Sequence, residues 1–261
     1  MASFTEVNQM TGWHKPDRAL RAPAVGNAMF QGFCRAFFAC YCPLTVEGLD
    51  HLPNEPFLLC SNHASHIDSA VLMTASGRSF RSFALLGASD YFFHSRTVRW
   101  SVSPLMNVIP IERQPGPKSL ATSLEECRRF LEETGGGLIL YPEGTRSPDG
   151  EMRTFKTGAA LFASRLAIPV VPAYIEGSHR ILSKGRSMPR PRPLTVRFGR
   201  ALAFAAPSTS GESLRDRRHV FVEELCRSIR LLNLGDRTPE FAGEVQKRDN
   251  IKGLSRKISP Q

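Results

Sequence analysis

The chain has 261 residues and a formal net charge of +10; apolar residues make up 41% of it and charged residues 22%. This composition excludes an intrinsically disordered protein and suits one sizeable domain with appendages. The positive charge favours an anionic partner, and nucleic acid, an anionic membrane surface and a phosphorylated substrate all meet that condition.

The 6 cysteines lie mostly in apolar segments, and no two of them form a C-x-x-C pair. We therefore expect reduced core thiols in a protein that faces the cytosol. The first twenty residues lack the uninterrupted apolar core of a signal peptide, so we do not expect export.

The first predicted element is a helix over residues 25–42. Asn27, Gln31 and Arg35 form a narrow polar stripe on it, and the large apolar side chains also recur at helical spacing. A cation near the middle disfavours a membrane span. Three interpretations stay open: a helix in the membrane interface with its aromatic face down, which we favour, a helix packed on the main domain, and a full span.

From residue 44 onward, short apolar strands alternate with helices, which predicts an α/β fold with a mostly parallel or mixed central sheet covered by helices. We divide the chain into a leader with an amphipathic membrane-interface helix (1–43), a catalytic domain (44–233) and a polar tail (234–261). Strands are predicted at 44–47, 57–61, 82–86, 108–111, 137–141, 170–175 and 194–198, and helices at 69–74, 119–133, 157–166 and 212–232.

The strand at 57–61 runs directly into the block Asn62-His63-Ala64-Ser65-His66-Ile67-Asp68. His63 falls at the carboxyl end of the strand, and Asp68 falls in the first turn of the next helix. A histidine oriented by a carboxylate is the usual device for removing a proton from a hydroxyl. His66 lies between them, in a supporting role or in a solvent-facing or packing role. The spacing H-x-x-H-x-D is not that of a zinc helix, and we predict no metal.

A second block, Tyr141-Pro142-Glu143-Gly144-Thr145-Arg146-Ser147, follows the strand at 137–141. A glycine lets the backbone turn tightly, so that the amides of Thr145 and Arg146 point inward. Arg146 can hold a phosphate through two parallel hydrogen bonds. Glu143 either fixes Arg146 or accepts a substrate hydroxyl. A base beside a phosphate-binding group predicts an enzyme that activates the hydroxyl of a phosphorylated alcohol.

Two basic features are weaker. Arg113 follows the strand at 108–111, where it supplies a second cation for the phosphate or forms a surface ion pair with Glu112. Residues 179–193 carry five basic side chains among prolines, and form either a solvated loop or a contact to anionic lipid or donor phosphates.

Together the blocks resemble the glycerolipid acyltransferase family, whose type member is lysophosphatidate acyltransferase. Asn62, His63 and Asp68 match the family's N-H-x4-D block, and residues 142–147 match its P-E-G-T-R-S block. Residues 155–159 and 169–172 also fit. The resemblance covers residues 30–205 approximately.

The resemblance implies transfer of a fatty acyl group from acyl-CoA or acyl-carrier protein to a lysolipid hydroxyl, by default that of 1-acylglycerol-3-phosphate, giving phosphatidic acid. His63 is then the general base, oriented by Asp68, and the hydroxyl attacks the thioester directly. The expected partners are these substrates and a membrane lipid surface, with no metal or other cofactor. The expected place is the cytoplasmic face of a membrane, peripheral or monotopic. The residues that would hold the acceptor are Arg113, Glu143, Gly144, Thr145 and Arg146.

Other interpretations of the sequence stay open. The acceptor can be another lysophospholipid or a lyso-aminolipid, and the chain can be a lipid-binding module without catalysis. A metal-dependent hydrolase would use His63, His66 and Asp68. A nucleic-acid-binding protein is disfavoured, because the basic residues are spread out and no recognised binding motif occurs.

Overall fold

A computed structural model describes residues 24–88, 105–112, 115–183, 188–204 and 213–235. The strands are β1 (Leu44–Glu47), β2 (Phe57–Ser61), β3 (Phe83–Ala88), β4 (Val108–Ile111), β5 (Gly137–Leu140), β6 (Val170–Glu176) and β7 (Leu194–Phe198). The helices are α1 (Ala24–Cys40), α2 (Asp68–Ala75), α3 (Pro117–Thr134), α4 (Gly158–Leu166), α5 (Ser178–Ile181) and α6 (Leu214–Leu234). The polar leader and most of the predicted tail lie outside the described residues.

The seven strands form one sheet in the order β1-β7-β6-β2-β5-β3-β4. Neighbouring strands are parallel except β6 and β7, which pair antiparallel. The predicted mixed sheet is therefore confirmed. The carboxyl ends of the five parallel strands from β6 to β4 all point to one edge, where the loops that follow them meet.

Helices cover both faces of the sheet. Alternate strand residues point to opposite faces, so that Phe57 and Leu59 pack with α1 and α2, whereas Leu58 and Cys60 pack with α3, α4 and α6. All five residues of β2 are buried, as is usual for a strand in the middle of a covered parallel sheet. This rigid central strand delivers the first sequence block to the sheet edge.

Helix α1 packs on the main domain, through the buried side chains Cys34 and Phe38. The polar stripe that the sequence shows on this helix faces the protein. Asn27 donates to the Leu105 carbonyl at 3.0 Å, Gln31 to the Arg78 carbonyl at 3.2 Å and Arg35 to the Gly77 carbonyl at 3.2 Å. Apolar side chains are left exposed on the outer face: Val25, Met29, Phe33 and Tyr41. None of the helices in the described ranges is both long enough and apolar enough to cross a bilayer.

All six cysteines are free. Four of them are buried, whereas Cys40 is exposed at the end of α1 and Cys226 is partly exposed. Burial raises the pKa of the Cys34 thiol to about 11. The prediction of core thiols is therefore met by Cys34, Cys42, Cys60 and Cys127 and is wrong for Cys40.

Candidate active site

The two sequence blocks leave the sheet side by side, although about eighty residues separate them. Strand β2 pairs parallel with β5, and Cys60 lies opposite Leu140 in the register. The residues that follow these two positions therefore emerge at the same edge. This pairing is what brings the histidine block and the P-E-G-T-R-S block together.

Asn62 fixes the point at which the first block begins. Its buried side chain donates to the Ile175 carbonyl at 3.0 Å, and its Oδ1 accepts the Ile175 N–H at 2.8 Å. The side chain thus pairs with the main chain of β6 as a further strand residue would. These two hydrogen bonds fix the main chain immediately before His63.

His63 and Asp68 form the predicted pair. The Nδ1 atom of His63 lies 2.9 Å from Oδ2 of Asp68, and the same oxygen accepts the N–H groups of Ala64 and Ser65 at 2.8 Å each. The Asp68 side chain is fully buried, whereas that of His63 is 20% exposed. A carboxylate can only accept, so Nδ1 carries the ring proton and Nε2 keeps its lone pair. The pair has the geometry of an oriented general base.

The second block holds the main chain of His63. Glu143 Oε1 accepts the His63 N–H at 2.8 Å, and the Ser147 N–H donates to the His63 carbonyl at 2.8 Å. The second oxygen of Glu143 accepts the Arg153 N–H at 3.0 Å. Burial raises the pKa of Glu143, and the two main-chain bonds oppose that shift. Both oxygens of this buried carboxyl bind main chain, and its contact with Arg146 or a substrate hydroxyl stays a prediction.

Gly144 makes the turn that the sequence predicts. Its φ is +70°, and its N–H donates to the Tyr141 carbonyl at 3.0 Å. A Cβ built on Gly144 would lie 3.0 Å from Nζ of Lys156, so the turn also brings this ammonium group close. The positive φ favours glycine at this position.

The predicted phosphate-binding residues lie next to this turn. Arg146 is partly buried and precedes Ser147, whose amide binds the main chain of His63. Loss of solvent lowers the pKa of His66, and the positive charge of Arg146 lowers it further. The guanidinium is thus within electrostatic range of the histidine block. Thr145 is exposed, and Arg113 lies outside the described residues.

The sequence patterns assign no role to Tyr141, which contacts His63, or to Ser69, which bonds with Tyr141. The ring of Tyr141 stacks on the ring of His63, with centroids 3.9 Å apart and an interplanar angle of 11°. Its hydroxyl lies 2.9 Å from Oγ of Ser69, the residue after Asp68. The sequence pattern predicts Tyr141 as the last residue of the strand at 137–141, but β5 ends one residue earlier. Tyr141 is the first residue of the second block, and this position was the one feature of the sequence that could have indicated a role in the site.

The alternative of a metal-dependent hydrolase requires a metal centre at the histidine block. Within the described ranges, no three His, Cys, Asp or Glu side chains are grouped so as to hold a metal ion. In the observed arrangement, Nδ1 of His63 is already bound to Asp68.

Several known proteins are similar to this chain. A chloroplastic 1-acyl-sn-glycerol-3-phosphate acyltransferase of Arabidopsis thaliana, LPAT1, is 33% identical over 144 residues, which cover 54% of this chain and 38% of the relative. The chloroplastic enzyme BAT2 of Brassica napus is 32% identical over 142 residues, covering 54% and 39%. The chain therefore spans about two fifths of the length of these two relatives.

The fold has a solved counterpart. The crystal structure of the 1-acyl-sn-glycerophosphate (LPA) acyltransferase PlsC from Thermotoga maritima covers 87% of this chain with 87% of its own, at a TM-score of 0.57 and 22% identity. Residues 43–176, which contain both sequence blocks and about half of the chain, match the family model described as Acyltransferase. The chain belongs to the acyltransferase family.

Proposed function

We propose that the chain is an O-acyltransferase that moves a fatty acyl group from acyl-CoA or acyl-carrier protein to the hydroxyl of a lysolipid. The acceptor we propose is 1-acylglycerol-3-phosphate, and the product phosphatidic acid. The observation that carries this proposal is the histidine whose Nδ1 is bound to a buried carboxylate while the ring stays partly exposed. The names of the similar plant proteins support the choice of acceptor.

In the proposed step, Nε2 of His63 takes the proton of the acceptor hydroxyl as its oxygen attacks the thioester carbonyl. The new C–O bond forms and the C–S bond breaks, and the leaving thiolate recovers the proton from the imidazolium. Asp68 stabilises the imidazolium and stays ionised, as in other carboxylate–histidine pairs. No covalent acyl-enzyme is required.

The oxyanion that develops on the thioester needs hydrogen-bond donors. The Gly144 amide is not available for this role, because it donates to the Tyr141 carbonyl at 3.0 Å. We therefore assign this amide to the turn. Its role is to hold the loop that carries Arg146.

Arg146 is proposed to bind the acceptor phosphate. It precedes the residue whose amide is bound to the His63 carbonyl, and its charge acts on the His66 ring. A phosphate held there lies beside the base, so that the glycerol hydroxyl of the same molecule can reach Nε2. Gly144 and Thr145 are proposed to line this acceptor site, and Arg113 to contribute a second cation.

We also propose that the outer face of α1 binds peripherally to the cytoplasmic face of a membrane, where the acyl donor is present. Val25, Met29 and Phe33 are spaced four residues apart and are exposed by 70%, 71% and 65%. A stripe of this kind on a helix that docks through its polar face suits insertion into the membrane interface.

Basic residues near the end of α1 extend this proposed membrane-binding surface. The Tyr41 hydroxyl at the end of α1 donates to the Pro189 carbonyl at 3.1 Å, and Arg190 and Arg192 beside it are exposed cations that suit anionic lipid. Ser65 of the histidine block donates to the Leu182 carbonyl at 2.7 Å. Leu182 and Pro189, on either side of residues 184–187, therefore contact the site and α1, which supports delivery of a lipid acceptor from the surface.

We expect His63→Ala to lower the rate of acyl transfer by about 10²–10⁴-fold, the usual contribution of a general base. Thiol release and the lipid product are measured with acyl-CoA and acyl-carrier protein against lysophosphatidate, glycerol-3-phosphate and other lysolipids. The control is His219→Ala, which removes an exposed histidine of α6. Transfer that survives in His63→Ala would contradict the assigned base, and a wild-type protein silent on the whole panel would favour a non-catalytic lipid-binding module.

We expect Arg146→Ala to lower kcat/KM for a phosphorylated acceptor by about 10–100-fold, since a hydrogen bond to a charged group contributes about 1.5–3 kcal/mol. Transfer to a monoacylglycerol, which has no phosphate, should change little. Arg128→Ala removes an exposed arginine of α3 and controls for the change in net charge. Equal losses with the two acceptors would refute the phosphate-binding role.

We expect the pair Met29→Gln and Phe33→Gln to weaken binding to vesicles of phosphatidylcholine and phosphatidylglycerol by about tenfold or more. The reason is that each apolar side chain that inserts into the bilayer contributes about 1.5–3 kcal/mol to the free energy of membrane binding. Co-sedimentation measures the bound fraction. The control pair is Val220→Gln and Leu214→Gln. These two residues are also exposed, but they lie on α6, which covers the other face of the sheet. Unchanged binding of the α1 variant would sink the proposed membrane surface.

A further inference from the structure

The imidazole of His63 is confined by an aromatic ring as well as by a carboxylate. The rings of His63 and Tyr141 lie nearly parallel, 3.9 Å apart between centroids and at 11°. A hydrogen bond at Nδ1 alone lets the ring rock about that bond. A flat ring against one face removes this freedom, because tilting would drive imidazole atoms into the tyrosine.

Tyr141 is itself held at both ends. It is 8% exposed, and its carbonyl accepts the Gly144 N–H. Its hydroxyl bonds with Oγ of Ser69 at 2.9 Å, and Ser69 follows Asp68 in the first turn of α2. One side chain therefore touches the base through its ring and, through its hydroxyl, the helical turn that carries the carboxylate.

The hydroxyl of Tyr141 is not a second base. Burial raises its pKa well above the usual value, and the negative charge of Asp68 raises it further. The phenol therefore stays protonated at the pH at which enzymes of this kind are assayed, and it serves only as a hydrogen-bond partner of Ser69.

We infer that Tyr141 is a positioning residue for the base, which keeps the His63 ring in the plane that serves both Asp68 and the acceptor hydroxyl. This inference rests on the proposed function for its kinetic consequence, whereas the ring geometry can be measured without turnover. The aromatic ring positions His63, and the hydroxyl anchors that ring to α2 through Ser69.

The test compares Tyr141→Leu, which removes the ring, with Tyr141→Phe, which keeps it. We expect Tyr141→Leu to lower kcat by about tenfold or more with KM within about twofold, since misplacing a catalytic group slows the chemical step. Tyr141→Phe should stay within about threefold of wild type in kcat. Phe162→Leu removes an aromatic ring from the core on the other face of the sheet and controls for lost stability, which thermal unfolding reports.

The second readout is the carbon-bound proton signal of His63 in protein labelled with ¹³C-histidine, assigned by its loss in His63→Ala. A tyrosine face shifts this signal upfield, so we expect an upfield position in wild type and Tyr141→Phe and a return downfield in Tyr141→Leu. A wild-type signal without the shift would overturn the inference, as would a Tyr141→Leu whose kcat equals that of Phe162→Leu. If wild type gives no acyl transfer, the proposed function fails, and the signal alone then decides whether Tyr141 positions the ring.

Discussion

The site depends on the hydrogen bonds that join the main chain of His63 to the loop after β5. Glu143 accepts the His63 N–H, and the Ser147 N–H donates to the His63 carbonyl. These bonds are possible because β2 and β5 are parallel neighbours that end at the same sheet edge. They join the two blocks, so that His63 and the loop that carries Arg146 are held against each other.

The same unit explains why buried carboxyl groups are tolerated here. A buried carboxylate is costly unless hydrogen bonds replace its water. Asp68 receives three N–H groups on one oxygen, and Glu143 receives one main-chain N–H on each of its two. The donors are mostly backbone, so they are fixed by the fold and need no rearrangement during a reaction.

Much of this arrangement could be predicted from the sequence. The strands and the pair His63–Asp68 followed from local patterns, because apolar runs and short-range spacing are visible in the chain. The orientation of α1 did not, since an amphipathic pattern shows two faces but not which one docks. Tyr141 was missed for a similar reason: a stacked partner eighty residues away is set by strand register, which no local pattern encodes. The position of Arg113 is still a prediction.

In the proposed reaction, the oriented His63 activates the acceptor for direct attack on the thioester. The most direct test is to mix the full chain with acyl donor in the absence of acceptor, and to follow thiol release by rapid quench and the protein by intact mass spectrometry. If the acceptor attacks the thioester directly, the protein mass stays unchanged and thiol release begins only when the lysolipid is added. A stoichiometric burst of thiol without acceptor, with a gain in protein mass equal to the acyl group, would contradict it.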